Sequence, residues 1–197
     1  MVEPERSTNH LIEMKPLLDR ANSIKSEEIR LFTKQMILYT PISNWQQRAS
    51  RNHHLPDERV EWGTRLHTCR VHDCWTFIAS VFQYEDILTD IGKSAALLHD
   101  CRKYGMNGTY DYTVPQHPFL VRKVMDELEI KNTSYRECVL TCVEAHMGQW
   151  TEKDHKPAPI QWGSLGILET PARMIHLSDC VVARFAEVIG KEPLNKE

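Results

Sequence analysis

The chain has 197 residues, 41% hydrophobic and 26% charged, with a formal net charge of −3. Its length suits one domain, or one domain with a modest extension, large enough to bury a core without disulfide or metal staples. The charge balance excludes a dedicated basic footprint for nucleic acid or anionic membrane, and no apolar run approaches the roughly 18 residues of a membrane span.

The first nine residues are polar and include Glu3 and Glu5, unlike a signal or transit peptide. A cytoplasmic protein is expected, with its six cysteines as reduced thiols. None of them forms a CxxC pair, which disfavours a thiolate zinc site. Helical periodicity dominates, and no stretch alternates as a strand does, so the expected fold class is all-α. The first amphipathic segment runs from about 11 to 21, across Pro16, and the second from 26 to 39, opened by Ser26 and two glutamates. Residues 40–57 read as a polar linker with Pro41, Pro56 and solvated His53 and His54. Residues 1–57 are therefore expected to form a helical extension and linker, 58–190 the main domain and 191–197 a tail. Within the domain, helices are predicted at about 58–82, 87–103, 117–129, 134–147 and 170–189. Two long loops, 104–116 and 148–169, are functional candidates by their length.

Each helix of the main domain carries an ionisable residue on its apolar stripe. His67 lies in line with Val71, Trp75 and Ile78; His99 follows Ile87, Ile91 and Ala95, with Asp100 adjacent. His117 opens the stripe of Leu120, Val124 and Leu128, His146 follows Val139 and Val143, and Asp179 falls among Ala172, Ile175 and Val182. A lone histidine on such a face is usually a hydrogen-bonded core residue. Five helices with the same feature point instead to a shared partner, because buried charges need compensation and one cation satisfies several ligands together. Imidazole and carboxylate donors suit Fe, Mn, Co, Ni or Zn. His72-Asp73 is a second adjacent pair, but His72 falls about 140° round the helix from His67 and is expected at the surface or an interface.

The order His67, His99-Asp100, Asp179 closely resembles the H…HD…D signature of HD-domain metal-dependent phosphohydrolases, and His117 and His146 match the extra histidines of dinuclear members. The resemblance spans roughly residues 58–190 and implies an HD-domain helical bundle. It implies that His67, His99, Asp100 and Asp179 hold one divalent transition metal ion, and His117 and His146 a second, with Asp100 bridging. Asp100 and Lys103 would be catalytic, Lys103 in a His-Asp-x-x-Lys pattern that suits phosphate contact. Arg65, Arg70, Tyr110 and Trp150 are further substrate-binding candidates, the two aromatics as stacking surfaces. The substrate implied is a small phosphorylated molecule, a nucleotide mono- or triphosphate. Alternatives are a phosphodiesterase acting on a cyclic or oligonucleotide, an HD-fold di-iron oxygenase, and a non-catalytic ligand sensor. The chain lacks the Gly-Tyr-Pro extension after His146 that marks cyclic-dinucleotide relatives. A homo-oligomer is compatible with the sequence, and no membrane partner is expected.

Overall fold

A computed structural model describes residues 8–49, 54–148 and 166–184 of the chain. Among these residues there are eight α-helices and no strand: α1 (Thr8–Ala21), α2 (Glu27–Tyr39), α3 (Ile42–Gln46), α4 (Gly63–Val81), α5 (Asp86–Leu98), α6 (His117–Glu127), α7 (Ser134–Ala145) and α8 (Glu169–Ala183). Short 3-10 turns occupy Pro56–Glu58 and Gly166–Leu168. The all-α class expected from periodicity is the one observed.

Helix α5 is the axis of the bundle, packed by α1, α2, α4, α7 and α8. Every residue from Asp90 to Leu98 is buried, the pattern of a helix enclosed on all sides. Small residues make that enclosure possible. Gly92 receives the Trp75 indole of α4, where any Cβ would overlap the ring, and Trp75 Nε1 donates to the Thr89 carbonyl at 3.0 Å. Ser94 meets Thr33 of α2 through a 2.6 Å hydroxyl contact. Ser26 does precede α2, yet its side chain makes no capping bond; Asp90 of α5 instead accepts the Ser26 backbone N–H at 2.8 Å. A carboxylate there complements the positive end of the helix dipole, and the cap is supplied across the core.

The N-terminal segment is continuous with the domain. Met14, Leu17, Phe32 and Trp45 belong to the same core cluster as Trp75, Leu97, Leu98 and Val143. Among the described residues, helices on both sides of residue 57 share this core. The segment expected as a linker contains α3, and its backbone is bound to the start of α4: Ala49 N donates to Glu58 O, Trp62 N to Gln46 O and Thr64 N to Gln47 O, each at 2.8 Å. Buried backbone groups need such partners, and here residues 46–49 find them on a neighbouring chain segment rather than in solvent. His54 is consequently buried, against the solvated position expected of it. His53, Trp150, most of the 148–169 loop, the end of the last predicted helix and the tail lie outside the described residues.

Candidate metal centre

Five elements bring the ionisable residues together. His67 comes from the middle of α4, His99 and Asp100 from the C-terminal end of α5, His117 from the first turn of α6, and His146 from the end of α7. Asp179 comes from α8. All four histidines are 0–1% exposed. His67, His99 and Asp100 form one group of atoms able to hold a metal ion, and Asp100, His117 and His146 form another.

The two oxygens of Asp100 face different groups. Oδ2 lies 3.5 Å from His99 Nε2 and 4.0 Å from His67 Nε2, whereas Oδ1 lies 3.3 Å from His117 Nε2 and 4.0 Å from His146 Nε2. Asp179 Oδ1 closes the first group, 2.9 Å from His67 Nε2 and 4.0 Å from His99 Nε2. Lys103 donates to Asp100 Oδ2 at 2.6 Å and is itself buried.

Hydrogen bonding fixes which nitrogen each ring presents. The Nδ1 atoms of His99, His117 and His146 lie 2.8, 2.8 and 2.7 Å from the carbonyls of Ala96, Val114 and Val143, and must donate to them. The nitrogen each ring turns inward is therefore Nε2, a lone pair whenever the ring is neutral. His99 Nε2 is buried with no hydrogen-bond partner. His117 Nε2 and His146 Nε2 stand 3.2 Å apart, a contact that is a hydrogen bond only if one ring carries two protons. Burial first, and then the neighbouring His117 and His99, push His146 down to about 3, so its ring is neutral at physiological pH. Inward Nε2 atoms beside the buried Asp100 and half-buried Asp179 carboxylates form a donor set suited to a divalent cation.

The carboxylates are ionised. Burial favours the neutral acid at Asp100, but Lys103, His99 and His117 outweigh it and hold the group well below the usual carboxylate range. Asp179 is likewise held down against burial by its bond to His67. Burial also disfavours the Lys103 ammonium, yet Asp100 raises its pKa above the ordinary lysine value. A cavity of about 410 Å³ opens onto Asp100, Lys103, His117, His146 and Asp179.

Several predicted contacts go elsewhere. Arg65 donates to the Glu13 carbonyl and carboxylate at 2.7 and 2.8 Å and lies over the Trp62 ring. Arg70 is paired with Asp57 and Glu58. Neither arginine lines the cavity, because each is turned toward acidic groups of the N-terminal segment. Tyr110 borders a separate cavity of about 470 Å³ with Tyr112 and Gln116, on the 104–116 loop. His72 points away from the metal-ligand groups as expected but is buried rather than exposed, with Nδ1 on Asp73 at 3.0 Å. Burial lowers its pKa. His176 supports the centre from behind, its Nδ1 donating to the His146 carbonyl at 2.6 Å.

Sequence reasoning missed three residues. His54 and Arg184 line the cavity that opens onto Asp100 and Lys103. Glu58 is fully buried beside His67. No periodicity marks them, since His54 lies in irregular chain, Glu58 in a single 3-10 turn and Arg184 at a helix end.

No family model matches the chain, and neither curated proteins nor solved structures give a match. The buried His/Asp clusters and the helical bundle are compatible with an HD-type centre on their own geometry.

Proposed function

We propose that this chain is a metal-dependent phosphohydrolase of the HD type that cleaves a phosphate ester, most simply that of a nucleotide. The observation that carries this reading is the division of Asp100. One oxygen serves the His67/His99/Asp179 group and the other serves His117/His146, as a carboxylate bridging two ions would require. His67, His99, Asp100 and Asp179 would hold one ion, and Asp100, His117 and His146 the other. A pair of divalent cations supplies an acidified water as nucleophile and polarises the phosphoryl oxygens.

The chain's own residues do the rest. The Ala96, Val114 and Val143 carbonyls hold Nδ1 of three imidazoles, so that Nε2 is the nitrogen each would present to a cation. Lys103, at the cavity wall, contributes a fixed positive charge for the phosphoryl group as negative charge accumulates on it. Arg184 offers a second cation on the same wall.

The decisive experiment is metal analysis of the purified protein followed by a substrate panel. Nucleoside mono- and triphosphates, cyclic nucleotides and dinucleotides are each incubated with Mn-, Co- and Zn-loaded protein, and phosphate and product nucleoside are measured. Turnover of at least one ester is expected, and it should vanish in His99→Ala/Asp100→Ala. Full activity in that double variant would refute the assignment. Oxygen consumption by iron-loaded protein with no ester hydrolysis would replace it with an oxygenase.

A further inference from the structure

Three of the four histidines at the centre obtain their orientation from the backbone. His99, His117 and His146 stand at helix ends, where the carbonyl three residues earlier accepts the Nδ1 proton, at Val114 and Val143 alongside the backbone N–H of the same histidine. His67 cannot do the same. It sits inside α4, and its Nδ1 reaches no backbone carbonyl. Its Nδ1 is fully buried with no hydrogen-bond partner, and the group it faces is the Glu58 carboxylate, with Oε2 at 3.4 Å.

Glu58 is built into this position. Its side chain is 0% exposed and accepts from Arg70 Nη1 on Oε1 at 2.8 Å, while Oε2 meets His54 Nδ1 at 2.8 Å. The His54 ring stands edge-on to His67, with centroids 4.4 Å apart at 81°. The Glu58 backbone is anchored as well, its carbonyl accepting from Ala49 N at 2.8 Å. Gly63, at the head of α4, permits the approach, since a Cβ there would collide with the Glu58 carbonyl. A buried carboxylate with three facing cationic or imidazole groups, held by a glycine-dependent turn, is costly unless it has a partner that requires it.

We propose that Glu58 is a positioning residue of the metal centre: it takes the Nδ1 proton of His67 and so presents His67 Nε2 to the metal, a task that backbone carbonyls perform for the other three histidines. The inference rests on the metal centre proposed above and extends it to a residue outside the ligand set. Glu58 also holds His54 by Nδ1, which leaves Nε2 as the nitrogen that His54 can offer to a ligand in the cavity it lines. When His67 Nε2 leaves Asp179 for a cation, the ring keeps one proton, on Nδ1, and the Glu58 contact becomes its hydrogen bond.

The test compares wild type, Glu58→Gln and Asp57→Asn as full-length apoproteins. Asp57→Asn removes another carboxylate partner of Arg70 while leaving Glu58 in place. Zn2+ and Mn2+ affinities are measured by chelator competition, with circular dichroism confirming the fold of each variant. Glu58→Gln should bind 10- to 100-fold more weakly, the usual cost of losing a carboxylate behind a ligand histidine, and Asp57→Asn should stay within about threefold of wild type. In 15N-labelled, zinc-loaded wild type, the His67 ring should show its proton on Nδ1, and that signal should weaken or broaden in Glu58→Gln. A folded Glu58→Gln that binds metal like wild type with an unchanged His67 ring overturns the proposal. If Glu58→Gln does not fold, Arg70→Gln, which leaves Glu58 unclamped, takes its place, and wild-type affinity there overturns it. Metal binding without any ester hydrolysis would leave this inference standing and remove the phosphohydrolase reading; wild type binding no metal removes both.

Discussion

His67 lies between two carboxylates, and its protonation links metal uptake to pH. Burial disfavours the imidazolium, but Asp179 and Glu58 outweigh that and raise its pKa to about 9. Below that pH, the Nε2 proton bonded to Asp179 must leave before a cation can bind. Mn2+ affinity should therefore rise by up to about tenfold per pH unit from roughly pH 7 to 9 and then level off. Calorimetry in buffers of different ionisation enthalpy should count about one proton released near pH 7.5. An affinity flat across that range would show that His67 is already neutral. Five of the six proposed ligands were legible in the sequence because each interrupts an apolar stripe, where an ionisable side chain has no reason to be unless something compensates it; Asp100 was legible as the neighbour of His99 in the His-Asp pair. Glu58 and His54 interrupt no stripe. Their burial depends on a turn that folds back onto α4, which local sequence does not encode. Arg65 and Arg70 illustrate the converse: proximity to His67 in sequence says nothing about which neighbour wins, and their acidic partners on the N-terminal segment do.

At the scale of elements, the long helices were readable and the short connection was not. Helix α2 runs from Glu27 to Tyr39 and α7 from Ser134 to Ala145, close to where periodicity and start signals put them. Helix α3 has only five residues and is held by tertiary bonds rather than by propensity. Its Asn44 is fully buried, donating to the Asp100 carbonyl at 3.0 Å and accepting from Tyr104 N at 3.2 Å. Asn44→Ala should leave the Tyr104 N–H without its acceptor, while the Asp100 carbonyl keeps the Lys103 N–H, and should cost roughly 1–3 kcal/mol by urea unfolding. Metal affinity should fall with it, because Asp100 is carried on the same backbone. A cost below about 0.5 kcal/mol would mean that water satisfies that N–H instead. Gly92→Ala probes the other side of α5: its methyl overlaps the Trp75 indole, so the helices must part and stability should fall by about 1–3 kcal/mol or more. Near-wild-type stability there would show that the indole can repack.

For the molecule as a whole, the ionisable core makes stability depend on pH and metal together. His146 and His54 are buried as neutral rings, with burial lowering them to about 3 and about 4. Groups with depressed folded values contribute stability that is present above about pH 6.5 and is lost as pH falls through the folded value. His67 has the opposite sign. Raised to about 9, it contributes fully below about 6.5 and loses that contribution as pH rises through 9, on the order of 3 kcal/mol across the window. The apoprotein should therefore be most stable near pH 6.5 and weaken on both sides. A bound cation takes over the role of the His67 proton, so the metal's benefit grows as that proton is lost. At a free metal concentration about 100 times Kd the gain is roughly 2.7 kcal/mol, equivalent to about 5–10 °C in Tm for a chain of this size. Thermal melts at fixed free Mn2+ and in excess chelator should show the gap between the two forms widening from pH 6.5 to 9. The N-terminal helices belong to the same cooperative unit, because their side chains share the core that carries the histidines. Circular dichroism at 222 nm and tryptophan fluorescence should then report one common transition in each state. A gap that narrows with pH would mean that the buried histidines are not held by the cation, and the common origin assigned here to the pH and metal effects would be lost.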